Sequence, residues 1–102
     1  MENNIITFNS KDEEELILEM KTREQEVTVF LINKIVWALE NNKDSFVFAN
    51  LKFDNLSIGA KREDYLEALE TNLEKLERYE EYELCKNAIK WIEYLNIENI
   101  ID

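Results

Sequence analysis

The chain has 102 residues with no histidine, no proline, one glycine and one cysteine; 45% are apolar, and 23 acids against 12 bases give a formal charge of −11. That length predicts one domain able to bury roughly two-thirds of its unfolded surface, and the apolar fraction excludes a wholly disordered acidic tail. The acidity argues against free nucleic acid and anionic membrane as ligands, both being phosphate surfaces, and points to a basic protein surface instead.

The charge is uneven. Residues 12–26 hold seven acids and two bases, and residues 61–83 hold nine acids and four bases, whereas residues 27–60 balance three against three. A lone Cys85 excludes an intramolecular disulfide and fits a reducing compartment. The chain does not start with a basic segment followed by an apolar run, and its longest apolar runs, 29–32 and 35–39, fall far short of the roughly 20 residues of a membrane span, so a cytoplasmic protein is expected.

In chain order, Ile5-Ile6-Thr7-Phe8 is short and β-prone and predicts an edge strand. Ser10, followed by Asp12 and Glu13, resembles a helix start, with acids opposing the helix dipole. The helix predicted over 11–21 carries Leu16, Ile17, Leu18 and Met20. Thr22-x-x-Gln25 is a capping-box pattern that either opens a second helix or lies within one long helix running to Asn42. Val27, Leu31, Ile35 and Leu39 make an i, i+4 stripe widened by Val29, Ile32 and Val36, with Phe30 and Trp37 on a third face. A helix this apolar is either buried centrally or packed on a partner. The run 27–32 also reads as a buried strand, though the period continuing to Leu39 favours helix.

Residues 46–58 switch to alternation, with Asp54-Asn55 suited to a tight turn, and predict a small antiparallel β meander needing a helix laid on it. With so little glycine and no proline, turns fall to Asn, Asp and Ser; Gly59 marks the exit from the meander. A helix follows over about 62–78. Leu66, Leu69, Leu73 and Leu76 form its apolar seam, and Glu67, Glu70, Glu74 and Glu77 repeat the same rhythm one residue later. A last helix over about 80–95 presents Tyr82, Cys85, Ala88 or Ile89, Ile92 and Leu95, flanked by Leu84 and Trp91. These two helices predict an antiparallel hairpin, and the tail Ile97, Ile100, Ile101 is apolar enough to dock. The expected fold class is therefore α+β, mostly α.

Tyr82-Glu83 opening a helix, then Cys85, Ile92 and Leu95, after a Leu/Glu helix, resembles the UVR motif. That motif is a helical hairpin of bacterial excision-repair subunits and some protease cofactors. The likeness covers residues 66–95 and departs at Ile89-Lys90, where the family carries an Arg-Asp pair. It implies a hairpin used for protein contact, not catalysis.

Little in the sequence supports chemistry. The commonest general base and metal ligand, histidine, is missing, and one glycine cannot build a phosphate loop. Cys85 falls on an apolar face with no histidine to activate it, and Trp37 and Trp91 read as core. No catalytic, cofactor or metal residues are assigned, and no enzyme is expected. What remains is surface recognition. Glu63, Glu67, Glu70, Glu74, Glu77 and Glu81 form an acidic row at intervals of about 5–6 Å, a scale comparable with phosphates on a nucleic-acid strand. Lys75 and Arg78 interrupt it, with Glu74 and Arg78 placed as an i, i+4 pair. Small acidic phage-encoded inhibitors, some anti-CRISPR proteins among them, resemble this chain in size and charge. The leading expectation is a non-enzymatic protein that binds a basic protein surface, with a nucleic-acid-mimicking inhibitor as its sharper form. The alternative is an assembly protein that self-associates through Phe30, Ile32, Val36 and Trp37.

Overall fold

A computed structural model describes residues 4–101, the side chain of Ile101 excepted. The order of elements is β1 (Ile6–Phe8), α1 (Glu13–Thr22), α2 (Glu24–Glu40), β2 (Ser45–Leu51), β3 (Leu56–Lys61), α3 (Arg62–Arg78) and α4 (Tyr82–Ile101). The fold is a mostly helical α+β arrangement, with four helices and a three-stranded mixed sheet among the described residues.

The sheet has the order β1-β2-β3. Over 46–58, where a small antiparallel meander is expected, β2 and β3 form a two-stranded antiparallel hairpin that extends to Ser45 opposite Lys61. Asn55 supplies the turn's left-handed residue, with φ 50°. Phe53 sits in that turn rather than in a strand. β1 adds to the other side of β2 in parallel, Ile6 opposite Ala49 and Phe8 opposite Leu51, so the sheet is mixed. Gly59 does not end the hairpin but lies within β3, opposite Val47 and beside a bulge at Val47/Ala49. A Cβ there would stand 2.7 Å from the Phe46 carbonyl oxygen, and that close approach is why the one glycine is at this position.

Residues 11–42 are two helices. Asp12, not Ser10, caps α1 by accepting from the Glu15 N–H at 2.9 Å. The break is at Arg23, with φ −103° and ψ 20°. The Thr22 capping box is not used: the Thr22 hydroxyl donates back to the Leu18 carbonyl at 2.9 Å. Residues 27–32 are helix, and the reason α2 is apolar all round is that it lies between two clusters. Ile32, Ile35, Val36, Ala38 and Leu39 are buried with Tyr65, Leu69 and Leu76 of α3 and Leu84, Cys85, Ala88 and Leu95 of α4. Val27 and Phe30 pack on the second cluster, built on Ile6, Phe8, Ala49 and Leu51.

α3 and α4 pack as the predicted antiparallel hairpin, tied at its open end by Arg62 to Glu98 at 3.0 Å. Tyr65, wholly buried, donates its hydroxyl to the Lys43 carbonyl at 3.1 Å and stacks beside Phe46, fastening α3 to the start of β2. Of the apolar residues of α1, Leu16 packs on the second cluster while Ile17, Leu18 and Met20 stay exposed. Two apolar assignments differ from expectation. Tyr82 is exposed and takes no part in the inner face of α4. In the tail α4 continues to Ile101, and Ile97 and Ile100 face solvent instead of docking; the Ile101 side chain lies outside the described residues.

Candidate functional site

α3 runs for 17 residues without a break because its seam is anchored along its whole length, by Tyr65, Leu69 and Leu76 in full burial and Leu66 and Leu73 in partial burial. Anchoring the seam also fixes the edge about a quarter turn away from it. Glu63, Glu67, Glu70, Glu74 and Glu77 are all exposed. From the first to the last, the helix rises about 21 Å, so this row carries about two-thirds of the axial charge density of one B-DNA strand. Among the described residues, no ion pair or side-chain hydrogen bond engages any of these five carboxylates.

The two cations expected to interrupt the row turn away from it. Lys75 Nζ reaches Glu24 on α2 at 3.6 Å, and Arg78 reaches the same carboxylate at 4.0 Å. Arg78 also lies over the Tyr79 ring, 5.9 Å from its centre. The Glu74–Arg78 pair does not form. A hydrogen bond with the Tyr79 hydroxyl, aided by these two cations, holds the Glu24 carboxyl below its ordinary value. Glu24 thus gathers the basic groups at the end of α3 and leaves the acidic edge uncompensated.

The other acidic stretch, 12–26, is used differently. Asp12 caps α1, and Glu15 accepts from the Lys11 N–H at 2.7 Å. Glu19 accepts from the Ser10 hydroxyl at 2.6 Å, the Ser10 and Asn9 N–H groups, and Arg23 at 2.8 Å. Arg23 in turn binds Glu26 and the Thr7 carbonyl and covers the Phe8 ring. These carboxylates hold β1 and the two helix starts together. Local sequence made the two acidic stretches look alike; the difference comes from contacts between elements.

Glu81 does not belong to the row. It follows the left-handed Glu80, is half buried, and lines an open groove of about 670 Å³ with Arg23, Glu26, Val29 and Phe30. The residues expected to form an oligomer face are mostly internal. Ile32 and Val36 are buried in the chain's own core, Phe30 packs on the second cluster, and Trp37 is half buried beneath Lys34 Nζ, 5.1 Å from its ring. Of these four residues only Phe30 and Trp37 keep partial exposure. Cys85 is buried, and desolvation pushes its thiol pKa up, with Glu77 and Glu81 adding to the shift. Among the described residues, no group of acids or cysteine is placed to hold a metal ion, and no helix is long and apolar enough to cross a membrane.

No family model, curated protein or solved structure matches this chain.

Proposed function

We propose that this chain is a non-enzymatic interaction protein whose α3 acidic edge binds a Lys/Arg-rich surface of a protein partner. The observation that carries the reading is the row Glu63, Glu67, Glu70, Glu74 and Glu77: exposed, rigidly backed, and unpaired within the chain while Lys75 and Arg78 are drawn off to Glu24. Such a row makes charge-assisted hydrogen bonds to guanidinium and ammonium groups and steers encounter at long range. In its sharper form the edge occupies a groove that otherwise holds nucleic acid, as a phage-type inhibitor would, and duplex DNA competes with it. The single cysteine fits a reducing compartment and so supports a cytoplasmic site of action. The test compares wild type with a variant carrying glutamine at all five positions. Capture of a basic protein by wild type, reversed by duplex DNA and absent in the variant, supports the reading.

A further inference from the structure

Five of the eleven exposed large apolar side chains among the described residues are on α4: Tyr82, Ile89, Tyr94, Ile97 and Ile100. The five share the outward side of that helix, in a molecule whose surface is otherwise rich in acid. α4 has 20 residues and spans about 30 Å. Its inner side is occupied by Leu84, Cys85, Ala88 and Leu95. On its outer side Lys86, Lys90, Glu93, Ile97 and Ile100 recur at steps of four, three, four and three, the spacing of a helix-pairing seam, with Ile89 and Tyr94 on either flank.

Charge decides what covers it. The chain carries −11, so two copies repel wherever acid meets acid, as they would at α3 or at the first turn of α1. On the outer face of α4 the charges balance. Lys86 and Lys90 offset Glu83 and Glu93, Lys86 lies 3.7 Å from Glu83, and the remaining acid, Glu98, is drawn inward to Arg62. The order of these charges is also self-complementary. In an antiparallel pair, the register that sets one seam position against the next places Lys90 of each copy opposite Glu93 of the other, twice about a two-fold axis. The same register lays Ile97 along the alkyl stem of Lys86. A parallel pair would instead set lysine against lysine and glutamate against glutamate.

We infer that two copies of this chain associate through the outer faces of α4, antiparallel, with reciprocal Lys90–Glu93 pairs at the centre. The contact leaves both α3 edges outside it. A single helix pair is small beside standard protein interfaces, so the dimer forms at high rather than low micromolar concentration.

Sedimentation equilibrium from micromolar to millimolar concentration tests this. The mass of the wild type is expected to rise from 12.2 kDa towards twice that value. Lys90→Glu and Glu93→Lys are each expected to abolish the rise, because each sets like charges together, and the double exchange is expected to restore it. Ile97→Asp is expected to remove association without loss of far-UV helical signal, since the residue is exposed and touches no core. A wild type that stays monomeric throughout overturns the inference and leaves the face to a foreign partner. Single charge variants that associate like wild type, or a double exchange that fails to restore association, also overturn it.

Discussion

At the scale of single residues, the shortage of glycine leaves a visible mark. α2 and α3 both end in the same way, with a left-handed residue and a hydrogen bond reaching back five positions: Asn42 with Lys43 N–H to Ala38, and Glu80 with Glu81 N–H to Leu76. Asparagine suits that conformation, and the sequence shows as much. Glutamate does not, because its Cβ crowds the following carbonyl. Glu80→Gly should therefore stabilise the protein by about 1 kcal/mol in denaturant melts; an unchanged or lower stability would mean the turn is not under strain. Glu19 makes a second residue-scale prediction. Its carboxyl is held below its usual 4.5, first by the Ser10 hydroxyl and then by Arg23. Glu24 and Glu26 are lowered as well, by hydrogen bonds with Tyr79 and Arg23 respectively. A group whose folded pKa lies below its unfolded one contributes stability at pH above the unfolded value, and that contribution disappears as pH falls through the folded value. Melting temperature should thus decline below about pH 4.5. The decline should be shallower in Glu19→Gln, whose lower starting stability no longer depends on that proton. An identical acid profile in the variant would show that the Glu19 cluster does not tie β1 to α1.

At the scale of elements, legibility depended on whether an element is specified by its own residues or by distant ones. α3 was readable almost to its ends, since the leucine period, the acids of its first turn and the basic last turn all agree on one helix. α2 was readable as a helix by its period, and its two-sided burial explains why its apolar face looked too wide. The parallel pairing of β1, the close approach of Gly59 to Phe46 across the hairpin and the choice of two helices over one at Arg23 were not readable, because each is set by contacts between elements. Periodicity also failed to say which apolar residues are inside: Leu16 is packed but its neighbours Ile17 and Leu18 are not, and Tyr82 points outward. The α3 seam gives the element-scale prediction. Leu69 is wholly buried and Leu73 only in part. Leu69→Ala should cost about 2–5 kcal/mol and Leu73→Ala distinctly less. Equal small losses in both would mean the hairpin is not packed through this seam.

At the scale of the molecule, net charge alone says little, since acidity is often only solubility. What gives it shape is its division into two populations. Asp12 caps α1 and Glu19, Glu24 and Glu26 bind Ser10, Arg23, Lys75 and Arg78, whereas five glutamates of α3 face solvent in a row. The row itself was legible in the sequence as helix geometry. The redirection of Lys75 and Arg78 to Glu24 was not, because that contact joins the end of α3 to the start of α2, and Glu81 left the row for the same reason that Glu80 turns the chain. This row is the proposed working surface of the molecule. The most direct test is the affinity of the captured basic partner for wild type and for the variant with glutamine at 63, 67, 70, 74 and 77, at low and high salt. Glutamine is nearly as good a helix former as glutamate, so the variant should fold as wild type does. Wild-type affinity should fall steeply as screening shortens from about 10 Å at 0.1 M to about 3 Å at 1 M. The variant should bind at least tenfold more weakly at low salt, through the loss of several charge-assisted contacts together, and show little further salt dependence. A variant that binds as tightly as wild type, with the same salt dependence, would contradict the account.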